Sequence, residues 1–138
     1  MTVHLMKLSV GVQNADDLRR RHRSMMASQP SMAGPWHITR MFPRRAEEVL
    51  DGGSLYWVIS GVFAVRQKII GLEPVTTADG ISRCQILLAP EWVTVDPLPR
   101  RAFQGWRYLT PEDAPADMGT DKADSQQLYR ALSELGLL

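Results

Sequence analysis

The stretch Trp36-His-Ile-Thr-Arg-Met-Phe42, Pro43-Arg-Arg-Ala-Glu-Glu-Val-Leu50, Asp51-Gly-Gly53, Ser54-Leu-Tyr-Trp-Val-Ile-Ser-Gly-Val-Phe-Ala-Val-Arg-Gln-Lys-Ile-Ile-Gly-Leu-Glu73 decides the fold class. Trp36 to Phe42 is rich in aromatic and β-branched side chains and reads as a strand. Pro43 suits a first helical position, where its missing N–H costs nothing, and Ala46, Val49 and Leu50 follow at helical spacing. Gly52-Gly53 stops that helix. Leu55 to Ile59 carries no charge, which predicts a strand covered on both faces. Gly61 permits a sharp bend into Val62–Leu72. Alternation there puts Phe63, Val65, Gln67 and Ile69 on one face, with Val62, Ala64, Arg66 and Lys68 on the other.

Outward from this block, Val3 to Val12 predicts a first strand ended near Gly11. Asn14 or Asp16 then caps a helix to about Ser28, with Leu18, His22 and Met25 on its apolar side and Arg19, Arg20, Arg21 and Arg23 on the other. Ala78-Asp79-Gly80 is a turn before a strand over Ile81–Leu88, and Trp92–Val95 is extended. Pro97 to Leu109 reads as an ordered loop pinned by its aromatics. Pro111 to Asp121 is acidic and loop-like, and Asp124 to Gln127 resembles the capped start of a last helix with Leu128, Leu132 and Leu135 as its stripe. The fold class expected is α+β: a small, mostly antiparallel, curved sheet or barrel of five to six strands with two or three peripheral helices. Residues 1–110 form one domain in this reading. Residues 111–138 are an acidic linker and an amphipathic helix packing on it.

A chain of 138 residues is long enough for one unstapled core. Cys84 is the only cysteine, which excludes an internal disulfide framework and a thiolate metal site and suits a reducing compartment. No signal segment and no apolar run of membrane-spanning length is visible, so a soluble cytoplasmic protein is expected. Net charge is +1, unevenly spread: residues 1–110 hold 14 Lys and Arg against 9 Asp and Glu, residues 111–138 hold 2 against 6. Arginine makes up 13 of the 16 basic residues. Its planar guanidinium suits phosphate and carboxylate, so the pattern is that of an anion-binding body with an acidic tail, or of a coding bias toward Arg.

Seven residues stand out as candidate phosphate or nucleic-acid contacts. Arg40, Arg44 and Arg45 surround the start of the short helix, where free N–H groups favour anions. Arg100, Arg101 and Arg107 lie on the aromatic loop, with Trp106 able to stack on a base. The plainer alternative for Arg44 and Arg45 is pairing with Glu48. Arg19, Arg20, Arg21 and Arg23 read as a solvated face or as a phosphate track. His4, His22 and His37 lack the spacing of a metal pair and read as structural, so no metal or cofactor is expected. Cys84 reads as buried and inert, and Glu47, Glu48 and Asp51 as solvated.

The string His37-Ile-Thr-Arg-Met-Phe-Pro-Arg-Arg-Ala-Glu-Glu-Val-Leu-Asp-Gly-Gly-Ser-Leu-Tyr-Trp-Val-Ile59, with Arg101-Ala-Phe-Gln-Gly-Trp-Arg-Tyr-Leu109, resembles an uncharacterised bacterial family known only as a domain of unknown function. More distantly, a strand, a helix ending in Leu-x-Gly-Gly and an immediate strand are similar to the opening of ASCH domains of the PUA-like superfamily. In those domains Gly-x-Lys and then Glu and Arg follow the helix; here Gly53-Ser54-Leu55-Tyr56-Trp57 stands instead. The resemblance implies a small barrel that binds nucleic acid or nucleotides, and no chemistry. The function expected is a non-enzymatic RNA- or nucleotide-binding domain with an Arg-rich face. The alternatives are an enzyme acting on a nucleotide or other anionic small molecule, using Glu47, Glu48 or Tyr56, and a protein-interaction module using the C-terminal leucine stripe.

Overall fold

A computed structural model describes residues 1–118. The leucine-striped helix expected after Asp124 lies outside the described residues. In chain order the elements are β1 (His4–Leu8), α1 (Ala15–Ser28), β2 (Trp36–Thr39), α2 (Ala46–Leu50), β3 (Ser54–Ile59), β4 (Val62–Thr76), β5 (Ser82–Leu88), β6 (Val93–Thr94) and β7 (Trp106–Leu109). The strands form one sheet in the order β2-β5-β4-β3-β1-β7, with β6 on β4. It is a mixed α+β sheet: β1 runs parallel to β3, Leu5 beside Leu55, and the other pairs are antiparallel. Seven strands replace the five or six expected, and the sheet is open instead of a closed barrel.

The capping reading of α1 is specific in the structure. Asn14 Oδ1 accepts from the Asp17 N–H at 2.9 Å, satisfying one orphan donor of the helix, while Asp17 Oδ2 accepts from the N–H of Gln13, just before the cap, at 3.1 Å. The short helix α2 begins at Ala46, three residues after Pro43. Gly52 follows it with φ +82°, the left-handed conformation that stops helices. Gly53 passes so close to the Val49 and Val3 carbonyl oxygens that a Cβ would overlap both. Both glycines of the pair are therefore required, one for its dihedral and one for its lack of bulk.

Every residue of β3 is buried, because the strand has a core on each side. Inward, Leu55, Trp57 and Ile59 meet Val3 and Leu5 of the β1 region, Val65 and Ile69 of β4, Ile86 and Leu88 of β5, Leu18 of α1 and Val49 of α2. Outward, Tyr56 and Val58 meet Met6, Phe63, Val95 and Leu109. The register shift between Trp57 and Val58 corrects the expected alternation of β4. Ala64 is extra, so Phe63 faces the outer core while Val65 and Ile69 face the inner one. A second shift, between Ile69 and Gly71, accompanies the passage of β4 from β3 to β5 as its partner.

Residues 111–118 belong to the outer layer. The Asp96 N–H donates to the Ala116 carbonyl at 2.9 Å and the Met118 N–H to the Thr94 carbonyl at 2.8 Å. Arg66 makes a two-pronged contact with Asp117, Nε to Oδ1 at 2.7 Å and Nη2 to Oδ2 at 2.6 Å. Among the described residues, no helix is long and apolar enough to cross a membrane.

Trp57 ties the inner core together. Its ring is 2% exposed, and its indole N–H donates to Gln67 Oε1 at 2.9 Å, while Gln67 Nε2 donates to the Ala89 carbonyl at 3.0 Å. Trp57→Ala is expected to cost about 3–5 kcal/mol in urea unfolding. Trp57→Phe, which keeps most of the volume but strands the Gln67 oxygen, should cost about 1–3 kcal/mol. An unchanged melting temperature in both variants would contradict this account of the core.

Candidate functional site

The seven residues singled out from the sequence fall into two groups, divided by β7. Successive side chains of a strand point to opposite faces. Trp106 and Tyr108 pack against the inner core, whereas Leu109 and the Phe103 ring belong to the outer one, so Arg107 projects outward.

The first group surrounds the start of α2. The Arg45 N–H donates to the Tyr108 hydroxyl at 3.1 Å, its guanidinium pairs with Glu48, and it lies 5.4 Å from the centre of the Tyr108 ring. The pairing holds the Glu48 carboxyl below the usual range. Trp106 donates its indole N–H to the Met41 carbonyl at 2.8 Å and meets Tyr108 edge-on at 4.8 Å. Arg45 and Trp106 thus hold β7 against the β2–α2 connection, while Arg40 and Arg44 are exposed. A five-residue helix whose N-cap N–H is already bonded offers little to an anion.

The second group makes a hollow. Arg100, Arg101 and Arg107, with Pro99, Ala102 and Phe103, line a space of about 370 Å³ on the outer side. The Arg107 guanidinium lies 6.0 Å from the Phe103 ring centre. The Arg100 N–H donates to the Gly61 carbonyl at 2.8 Å and the Phe63 N–H to the Leu98 carbonyl at 2.9 Å, which fasten the segment to the β3–β4 turn. No carboxylate is among the lining residues.

A second cavity, of about 150 Å³, lies on the inner side, and sequence reasoning missed it. It is walled by Lys7 and Ser9 from the end of β1, Arg21 and His22 from α1, His37 from β2 and Trp57 from β3. Each of these reads singly as core or surface; only the crossing of four elements brings them together. His37 stands edge-on to Trp57 at 5.3 Å, and His22 lies 6.0 Å from the same ring. Burial lowers the pKa of each histidine to about 4, with Arg21 adding to the effect on His22, and Lys7, His22 and Arg21 to that on His37. Burial also lowers the pKa of Lys7. Arg21 Nη1 donates to the Val10 carbonyl at 2.9 Å.

The groups of the enzymatic alternative do not converge. Tyr56 faces the outer core, and α2, which carries Glu47 and Glu48, packs on the inner one through Val49. Cys84 is fully buried and its thiol is pushed up to about 11, too high for a thiolate nucleophile at neutral pH. Among the described residues no three His, Cys, Asp or Glu side chains are placed to hold a metal ion.

The model of the family described as "Protein of unknown function (DUF1489)" matches residues 5–138. No curated protein and no solved structure matches the chain.

The two cavity histidines make stability depend on pH. They are neutral when folded and titrate near 6.5 when unfolded, so the unfolded chain binds more protons as pH falls from 6.5 to 4. Their contribution is fully present above pH 6.5 and lost progressively down to pH 4. After allowance for partial exposure, the expected loss is roughly 2–4 kcal/mol for the pair. Urea titrations at pH 7 and pH 4 should show it, and His22→Gln with His37→Gln should flatten the slope over that range. An equal slope in the double variant would assign the effect to other groups.

Proposed function

The chain belongs to that family, and we propose that it acts as a non-enzymatic RNA- or nucleotide-binding domain through its arginine hollow. The observation that carries the reading is the convergence of Arg100, Arg101 and Arg107 on one space whose lining holds no carboxylate. Guanidinium groups contact phosphate oxygens in pairs, and several on one surface track a phosphate backbone. Phe103 adds an aromatic edge beside Arg107. Gly105, at φ +66°, turns the chain between the hollow and β7.

The remaining candidates take graded roles. Arg40 and Arg44, exposed before α2, offer a second basic patch across β7 from the hollow. Arg45 and Trp106 brace that second patch through Tyr108 and Met41. The strand–helix–Gly-Gly–strand order of β2, α2 and β3, together with the bent β4, supports a PUA-like architecture for this binding domain. A cytoplasmic location fits a partner of this kind.

The test is retention of single-stranded RNA by the purified protein across a salt series. Arg101→Glu with Arg107→Glu is expected to abolish retention at moderate salt and leave the melting temperature unchanged. Loss of two phosphate contacts by Arg101→Ala with Arg107→Ala should reduce the log–log salt slope by about 1.4. Equal binding by wild type and both variants would overturn the assignment to this hollow.

A further inference from the structure

We propose that the inner cavity between β1, α1, β2 and β3 is a binding site for a small oxyanion, a carboxylate or phosphate group, held by Lys7, Arg21 and Ser9. The site is separate from the arginine hollow. It lies on the inner side of the sheet, where Lys7 points with Leu5, whereas Arg107 projects from the outer face.

Charge balance is the first ground. Lys7 and Arg21 both line the cavity, and no Asp or Glu is among its lining residues. Lys7 lies beside Trp57 on one neighbouring strand and Trp106 on the other, and its ammonium takes part in no ion pair or hydrogen bond among the described residues. A half-buried ammonium with apolar neighbours is costly unless paired. Its lowered pKa has burial as its cause, with no carboxylate to offset it. Arg21 is steadied by the Val10 carbonyl and uses one of its five donors in doing so.

Hydrogen bonding is the second ground. Ser9 Oγ is the one buried side-chain polar atom without a partner among the described residues. Ser9 follows Lys7 by two residues and continues the parallel ladder, its N–H donating to the Val58 carbonyl at 2.9 Å, so the two side chains share a face. An unsatisfied buried hydroxyl costs about 1–3 kcal/mol, and an oxyanion in the cavity would accept its proton. The third ground is the state of the walls. His22 and His37 are neutral at pH 7, and each can donate one N–H without adding charge. A cavity of about 150 Å³ admits a compact anion and excludes a nucleotide chain.

Trp36 and Trp57 line the cavity and report on it. Full-length protein would be titrated with sodium phosphate and separately with sodium acetate, each against sodium chloride at matched ionic strength, following tryptophan emission and melting temperature. A saturable change with phosphate or acetate, absent with chloride, is expected, and the anion that produces it identifies the head group. Lys7→Met, which keeps the stem's apolar packing, should weaken that anion at least about tenfold, the size of a charge-assisted hydrogen bond. Ser9→Ala, which removes only one oxygen, should weaken it by a smaller factor and serves where Lys7→Met fails to fold. Arg101→Glu with Arg107→Glu should leave the titration unchanged, which separates this site from the RNA-binding reading. The same response with chloride, or undiminished affinity in Ser9→Ala and Lys7→Met, would overturn the proposal.

Discussion

The burial of β3 on both faces is the constraint on which the rest of the structure depends. A strand reading Leu-Tyr-Trp-Val-Ile cannot leave either face in water, so two layers must be built over it. The inner layer is made by α1, α2 and the β2–β5 part of the sheet. The outer layer is made by the described chain from Val93 to Met118, which runs without a helix and contributes Val95, Phe103, Leu109 and Ala114. Its backbone polar groups are satisfied at the β6 edge and by the β3–β4 turn, which is how an irregular segment can serve as a lid on a sheet.

A strand that belongs to two cores needs partners that change sides, and the shifts in β4 provide this. The first turns Phe63 outward while Val65, Gln67 and Ile69 stay inward; the second accompanies the exchange of β3 for β5. Gln67 pins the register. It is 1% exposed and has both ends of its amide satisfied, so a slip of one residue would strand two polar groups and the Trp57 indole together.

The same layering sorts the positive charge. Outer-layer arginines sit on a loop fastened by backbone hydrogen bonds, open to solvent and suited to a large polyanion. Inner-layer Lys7, half-buried near the carboxyl end of β1, and Arg21, exposed on α1, line a smaller cavity with tryptophan and neutral histidine. A single basic surface was expected from the sequence because spacing along a strand carries no record of which face meets which layer.

Local signals in the sequence determined the elements: the Asn14 cap, the Gly52-Gly53 stop, the Asp79-Gly80 turn and the uncharged run of β3 each act within a few residues, so their physics is written in order along the chain. Membership in the α+β class followed from them. Three things were decided only by tertiary structure. The parallel pairing of β1 with β3 brings Leu5 to Leu55 across fifty residues, and no local pattern encodes it. The extra residue at Ala64 depends on the partner strand, not on β4 alone. The inner cavity arises where four elements cross; nothing in the sequence joined Lys7, Ser9, Arg21, His22 and His37, since a cluster is a property of distances in space and the sequence records only distances along the chain.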